Sequence, residues 1–315
     1  MGRGGFWKFM KIVFFGTPEY VLPILSTLKK SHDIAGVVTQ KPQPAGRKKY
    51  ITHSPVDKWA HEKKIPIFYS AEELISQNIE VDFGVLAAFG QIVPDSVIDH
   101  FPKGILNIHP SLLPKWRGAS PVQATIVSGD KTTGVSIMLL DEKMDHGPII
   151  SQLKEEVLDH DTTDSLRKRL FKRSAEFLID LIPNYLNGKI KPKPQDHSKA
   201  TYTTTVKKEH GFIPSEYLTA ALQGDSLQKR WKIGFIKNLT IYPTPSTIQQ
   251  FIRAMEPWPI AWTRTKLRHA ASPRRLKILK AHLKNMKLVL DEVQLEGKNP
   301  VSWKQFEQGY PEVKF

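Results

Sequence analysis

The stretch KIVFFGTPEYVLPILSTLKKSHDIAGVVTQ, residues 11–40, decides the fold class of this chain. It opens with an apolar, β-prone run at residues 11–15, which ends in the turn residues Gly16, Thr17 and Pro18. Apolar residues then recur at helical spacing between 21 and 28, and residues 34–39 return to the pattern of a buried strand. A strand, a helix and a second strand in this order predict one crossover of a parallel sheet.

Two further segments continue this alternation of strands and helices. Ser54 and Pro55 suit the N-cap and the first position of a helix, and residues 83–88 form another continuous apolar run. The pattern predicts an α/β fold with a doubly wound, Rossmann-like, mostly parallel sheet. Gly16-Thr17-Pro18 matches neither of the glycine-rich phosphate motifs, so a dinucleotide or ATP site is not expected.

The candidate catalytic groups lie in residues 107–150, NIHPSLLPKWRGASPVQATIVSGDKTTGVSIMLLDEKMDHGPII. If residues 105–109 form a strand, Asn107 and His109 project from the same face. Ligands bind beyond the carboxyl ends of such strands, so this pair should share a rim with Gly16 and Gly90. An amide can donate to a developing oxyanion, and an imidazole can manage a proton. The alternative is that Asn107 caps a turn and His109 is a satisfied, half-buried histidine.

The segments around this pair resemble the folate-dependent formyltransferases. The resemblance is carried by SLLPKWRG (residues 111–118), TTGV (132–135) and DHGPII (145–150). It extends to KIVFFGTPEYVLPIL (11–25), VVTQ (37–40), ATYTTTVKKEHGFI (200–213), FIRAMEPWPIAW (251–262) and PVSWKQFEQGYP (300–311). These segments are collinear over nearly the full chain. Arg117-Gly118 and the segment around FIRAMEPWP resemble the branch of the family that acts on methionyl-tRNA.

The resemblance implies transfer of a formyl group from 10-formyltetrahydrofolate to the amino group of initiator methionyl-tRNA, through a tetrahedral adduct. It implies that Asn107 donates to the oxyanion. His109 would either assist deprotonation of the amine or stabilise the oxyanion as imidazolium. Asp145 would orient His109 or relay the proton through water. His146 is left out, because adjacent residues usually face apart.

The resemblance also implies a folate site. Its backbone-lining residues would be Phe89, Gly90, Gln91 and Ile92 on one wall and Leu140 and Asp141 on the other. The loop over the site would be Ser111, Leu112, Leu113 and Pro114. No metal is expected, because the 11 histidines are scattered and no paired-ligand spacing occurs.

The charge is uneven along the chain. Residues 191–315 contain 22 Lys and Arg against 10 Asp and Glu, whereas residues 1–190 are nearly balanced. We therefore expect a catalytic domain at 1–190, a Lys- and Pro-rich linker at 191–206, and a basic tRNA-binding domain at 207–315. By resemblance the last is a small β-barrel like an oligonucleotide-binding fold, here with an insertion near 214–247. A solvated basic surface is the alternative reading of this charge.

The loop after Gln40 departs from the family pattern. Relatives usually carry an arginine where this chain has Gln43, and a glycine after Arg47 is absent. We expect the loop to meet RNA, with Arg47, Lys48 and Lys49 contacting phosphates.

Composition excludes several other classes. The chain has no cysteine and no apolar run near the roughly 20 residues of a membrane span, and its first ten residues lack the features of a secretory signal. We expect a cytoplasmic monomer. Two rivals remain: a folate-dependent formyltransferase acting on a sugar amine or a purine precursor, and a non-catalytic RNA-binding module.

Overall fold

The computed structural model describes residues 10–45, 49–267, 272–311, 313 and 315. The chain divides into two compact units. Unit 1 comprises residues 1–117, 134–155 and 167–200, and unit 2 comprises residues 118–133, 156–166 and 201–315. A division by contacts therefore does not follow the order of the chain.

Short and long strands alternate with helices along the chain. The strands are β1 Lys11–Gly16, β2 Asp33–Val38, β3 Gln43–Ala45, β4 Tyr50–Thr52, β5 Ile67–Phe68, β6 Phe83–Ala87, β7 Ile105–His109, β8 Arg117–Gly118, β9 Thr132–Leu139, β10 Ile149–Glu156, β11 Tyr202–Thr203, β12 Trp231–Lys232, β13 Thr240–Ile241, β14 Ala261–Thr265, β15 Arg274–Lys284, β16 Lys287–Leu295 and β17 Val301–Ser302. The helices are α1 Leu22–Ser31, α2 Pro55–Glu62, α3 Glu73–Ser76, α4 Asp95–Ile98, α5 Pro121–Val127, α6 Thr163–Leu186, α7 Ser215–Gln223, α8 Pro245–Ala254 and α9 Trp303–Gly309.

Unit 1 is built on a seven-stranded sheet in the order β10-β9-β7-β6-β1-β2-β5. The pairs β1–β2, β1–β6, β2–β5 and β6–β7 are parallel, and β7–β9 is antiparallel. Phe14, Phe15 and Val85 are fully buried, as the continuous apolar runs require when both faces of a sheet are covered. The predicted α/β fold with a mostly parallel sheet is confirmed.

The strand order reverses at β1. The chain runs outward from β1 to β2 and β5, then returns to place β6 on the other side of β1. The carboxyl ends of β1 and β6 are therefore neighbours, and the Thr17 hydroxyl lies 3.4 Å from the Phe89 carbonyl oxygen. In doubly wound sheets such a reversal is where ligands bind.

Two helix predictions for this part of the chain are confirmed. The Ser54 hydroxyl accepts a hydrogen bond of 3.0 Å from the Asp57 amide, with Pro55 at the first position of α2. The helix predicted from the apolar residues between 21 and 28 is α1, in which Leu25 and Leu28 are buried.

The Lys- and Pro-rich segment after α6 is not a free spacer. Lys193 forms an isolated antiparallel bridge with Ile149, the first residue of β10. Both backbone hydrogen bonds of this bridge measure 2.8 Å. The segment therefore runs along unit 1 before the chain enters unit 2.

Unit 2 contains a four-stranded sheet in the order β14-β15-β16-β17, in which every neighbouring pair is antiparallel. Helix α8 packs against α5 and β15, and buries Phe251 and Ile252. Helix α7 lies in the segment expected to be an insertion. No helix in the described ranges is long and apolar enough to cross a membrane.

Candidate active site

Strand β7 carries the predicted amide and imidazole. Its parallel neighbour is β6 and its antiparallel neighbour is β9, so all five of its residues are buried. Asn107 and His109 are two residues apart and only 6% and 5% exposed. They are thus polar side chains on a central strand, where an unpaired polar group would be strongly unfavourable.

The third predicted group reaches β7 from the loop between β9 and β10. Asp145 adopts a positive φ of 50°, a conformation that few residues other than glycine favour. Two residues later, a Cβ on Gly147 would lie 2.0 Å from the Leu139 carbonyl oxygen, so only glycine fits there. The loop can therefore fold back on the end of β9, where the Leu139 amide donates to the Pro148 carbonyl oxygen at 3.0 Å.

The structure brings the three predicted catalytic residues together. The Asn107 side-chain amide donates to Asp145 Oδ1 at 3.3 Å. His109 Nδ1 lies 3.3 Å from the same oxygen. One buried carboxylate oxygen of Asp145 therefore contacts both Asn107 and His109.

The other ring nitrogen of His109 also faces an acceptor. His109 Nε2 is 3.0 Å from the carbonyl oxygen of Trp116, a residue at a positive φ of 61°. A carbonyl oxygen and a carboxylate can only accept, so both contacts are satisfied when the ring carries two protons. Burial opposes protonation, and Arg117 does so weakly. The charge and hydrogen bond of Asp145 and the Trp116 carbonyl outweigh them and raise the pKa of His109 above its ordinary value. The arrangement favours imidazolium.

The residues expected to line a folate site occupy the same edge of the sheet or the loops beside it. Phe89 is buried in the core against Phe15, whereas Gly90, Gln91 and Ile92 are exposed, Ile92 by 88%. Gly90 has a positive φ of 76°, and a Cβ there would meet only the side chain of Gln40. Leu140 and Asp141 directly follow β9 and are partly buried.

The loop of Ser111, Leu112, Leu113 and Pro114 is tied to β9. The Ser136 hydroxyl donates to the Ser111 carbonyl oxygen at 2.7 Å and accepts from the Leu113 amide at 2.9 Å. The Gln152 side chain donates to the Leu113 carbonyl oxygen at 2.9 Å. These contacts hold the loop beside the His109 end of β7, where Ser136 pairs with His109 in the ladder.

Behind Asp145 lies a polar cluster that the sequence reasoning did not assign. Gln195 donates to the backbone of the Asp145 loop, and Arg117 donates to the Gln195 side-chain oxygen at 2.6 Å. His197 accepts from Arg117 at 2.9 Å and stacks on His146 with ring centroids 4.0 Å apart. Burial, His146 and Arg117 lower the pKa of His197 below its ordinary value. His146 itself turns to Asp141, 2.7 Å away, as expected for a residue that faces away from its neighbour Asp145.

The residues expected to contact tRNA are only partly described. Arg47 and Lys48 lie outside the described residues. Lys49 is exposed at the tip of the antiparallel pair β3–β4, next to Tyr50 and Ile51, which are 68% and 64% exposed. Among the residues that the structure describes, no cluster of three or more His, Asp or Glu could hold a metal ion.

Comparisons with known proteins found a matching family and similar sequences. Residues 10–182 match the family described as formyl transferase. A methionyl-tRNA formyltransferase of Listeria monocytogenes is 38% identical over 261 residues, which cover 80% of this chain and 75% of that protein.

Two solved structures share the fold. A methionyl-tRNA formyltransferase from Clostridium thermocellum matches with a TM-score of 0.54 at 20% identity, covering 91% of this chain and 98% of that one. A sugar 3N-formyl transferase solved in the presence of dTDP and 5-N-formyl-THF matches with a TM-score of 0.60 at 19% identity, covering 88% and 87%. At these identities both matches establish the fold alone.

Proposed function

This chain belongs to the formyl transferase family, and we propose that it transfers the formyl group of 10-formyltetrahydrofolate to the amino group of initiator methionyl-tRNA. The product is N-formylmethionyl-tRNA for translation initiation. The observation that carries the proposal is the buried contact of Asn107 and His109 with one oxygen of Asp145. An amide donor and an imidazole beside a carboxylate are the groups that acyl transfer to an amine requires.

Asn107 stabilises the charge that develops on the formyl oxygen. The folate supplies an activated formyl carbon. The amino nitrogen adds to that carbon to give a tetrahedral adduct, which collapses as the bond from the carbon to the folate nitrogen breaks. Asn107 donates its side-chain N–H to the oxygen while negative charge grows there. Loss of one such donor raises a barrier by about 3–4 kcal/mol in comparable sites. The amine is already a nucleophile, so no cysteine or serine nucleophile is needed.

His109 and Asp145 control charge and protons in this proposal. His109 lies between two acceptors, an arrangement that favours imidazolium and so would place positive charge next to the developing oxyanion. Asp145 is the ionised base within reach, and it receives the amine proton directly or through water before the departing tetrahydrofolate nitrogen takes it up. Asp145 thus keeps His109 charged and also relays the proton.

The folate would lie along the same edge of the sheet. The backbone of Phe89, Gly90, Gln91 and Ile92 would form one wall, and Leu140 and Asp141 the other. Support comes from Gly90, where no side chain limits approach to the backbone, and from Ile92, whose apolar side chain is left to solvent. Ser111, Leu112, Leu113 and Pro114 would cover the site.

The RNA would bind to the basic part of the chain. One face of the unit 2 sheet carries Trp262 and Arg264 on β14, with Lys277 and Arg275 directly opposite them on β15. The Arg275 guanidinium lies 3.7 Å from the Trp262 ring centroid. Cations around a partly exposed aromatic ring suit phosphates and stacked bases. Arg47, Lys48 and Lys49 would contact phosphates near the acceptor end.

The parts of the chain would have separate roles. Residues 1–190 would form the catalytic domain, residues 191–206 the linker, and residues 207–315 the tRNA-binding domain, with β14–β17 forming part of an oligonucleotide-binding-like barrel. The segment 214–247 would be an insertion in that domain. A cytoplasmic monomer suits an enzyme that supplies charged tRNA to ribosomes.

In the test, the purified protein is incubated with 10-formyltetrahydrofolate and three amines. The amines are methionyl initiator tRNA, a nucleotide-linked amino sugar and glycinamide ribonucleotide. Mass spectrometry of the products reports which amine gains the formyl group. The proposal expects N-formylmethionine on the tRNA. Formylation of the sugar or of the ribonucleotide instead would assign the chain to the other branch of the family, and no formylation by folded protein would overturn the proposal.

A further inference from the structure

The loop that carries Asp145 is held in place by a side chain far away in the sequence. The Gln195 side-chain N–H group donates to the Asp145 carbonyl oxygen at 3.0 Å and to the Gly147 carbonyl oxygen at 2.8 Å. Gln195 is only 7% exposed, so these are buried hydrogen bonds. The two carbonyl oxygens lie on either side of His146, and one of them belongs to Asp145, the residue with the positive φ.

Gln195 is itself fixed on two sides. Its side-chain oxygen accepts a hydrogen bond of 2.6 Å from the Arg117 guanidinium. Its main chain follows the bridge between Lys193 and Ile149, which lies two residues before it. The amide orientation is therefore determined, because the oxygen faces a donor and the nitrogen faces two acceptors.

The Asp145 backbone needs such support. At a φ of 50° it lies in the left-handed region, where an aspartate persists only if its surroundings over-determine its position. Gly147 fixes the far side of the loop, because its Cα packs against the Leu139 carbonyl oxygen. The near side is fixed by the hydrogen bond from Gln195.

We propose that Gln195 is a positioning residue that sets the main chain of Asp145, and thereby places the carboxylate against Asn107 and His109. This inference rests on the proposed function of that site. Without the two donated hydrogen bonds, Asp145 can relax toward a negative φ and carry its carboxylate away from β7. A displacement of about 1 Å in a reacting group can lower a rate on the order of 100-fold.

The relaxation also changes the surroundings of His109. The charged groups that face its ring are Asp145, which favours protonation, and Arg117, which opposes it. If the carboxylate moves away, burial and Arg117 remain. The pKa of His109 must then fall, whether or not any substrate is present.

The test uses Gln195→Met in the full chain, because methionine has a similar volume and cannot donate. The titration of His109 is followed by NMR of histidine-labelled protein, with the signal assigned by its loss in His109→Gln. Formylation kinetics are measured in parallel. Ser198→Ala is the matched control: it lies in the same segment, but its exposed hydroxyl donates to Asp196 and not to the Asp145 loop.

We expect Gln195→Met to lower the pKa of His109 and to reduce kcat on the order of 100-fold, with KM for folate and tRNA changed by less than about threefold. Ser198→Ala should match the wild type in both. If Gln195→Met does not fold, Gln195→Asn, which keeps the amide but is one methylene shorter, is measured in the same way. A wild-type His109 titration in a folded Gln195 variant would overturn the inference. The titration needs no substrate, so failure of the proposed function would leave this result readable.

Discussion

Replacing Asp145 with asparagine removes the charge at the centre of the site and keeps its shape. The Asp145 carboxylate lies 3.3 Å from the His109 ring nitrogen. With an effective dielectric constant of about 20, two unit charges at that distance attract by about 5 kcal/mol. Desolvation of the two buried groups offsets part of this. If about half remains in the transition state, the barrier rises by roughly 2.5 kcal/mol, which is a loss of rate on the order of 100-fold.

The assay for Asp145→Asn is single-turnover formylation of methionyl-tRNA across a range of pH. We expect kcat to fall at least about 100-fold, and the limb of the pH profile set by His109 to move to lower pH. The limb moves to lower pH because Asp145 raises the pKa of His109, and burial lowers that pKa once the charge of Asp145 is removed. Asp180→Asn, on the exposed side of α6, is the control and should match the wild type. A wild-type rate, or an unmoved limb, for Asp145→Asn would show that the carboxylate does not set the charge of His109.

Three further predictions follow from the same geometry. Asn107→Ala should lower kcat about 100- to 1000-fold in single-turnover assays, since it removes the oxyanion donor, and a rate near the wild type would exclude that role. Gly147→Ala should lower the free energy of unfolding by about 1–3 kcal/mol in urea titrations, because its Cβ would lie 2.0 Å from the Leu139 carbonyl oxygen, and an unchanged midpoint would contradict the close approach. Arg264→Gln should weaken binding of charged tRNA and reduce the slope of log affinity against log salt by about 1. An unchanged slope would remove Arg264 from the RNA surface.

Strands β1 and β6 of the central sheet were predictable because they are apolar on both faces. Continuous runs such as 83–88 and 11–15 can satisfy their backbone and bury all their side chains only in the middle of a covered sheet. Helix α2 was predictable for a local reason, since Ser54 and Pro55 suit the first turn by themselves. The sequence signals of these strands and of α2 lie within a few consecutive residues.

The supports of the site depend on contacts that no local pattern records. Gln195 reaches Asp145 across 50 positions and follows a Lys- and Pro-rich run that is typical of a linker. The positive φ of Asp145 is equally hidden, since aspartate does not require it. The bridge between Lys193 and Ile149 lies two residues before Gln195, and bridges between distant single residues leave no period in a sequence.

The site formed by Asn107, His109 and Asp145 was predictable only in part from local sequence. Two of its members share a strand, so the period of two brings them to one face. The third was placed by resemblance to the family, and the structure puts it in contact with both. Which of the three does what stays a prediction that kinetics must test.

Whether His109 and Asp145 act as one unit is measured most directly by a double-mutant cycle on formyl transfer to methionyl-tRNA. The variants are His109→Gln, Asp145→Asn and the two together. Asp145 is proposed both to keep His109 charged and to relay the amine proton, so its loss also removes the contribution of His109. The double variant should therefore be about as slow as Asp145→Asn alone, because groups that work as a unit are strongly non-additive. Rate losses that multiply across the two changes would show that the two side chains act independently.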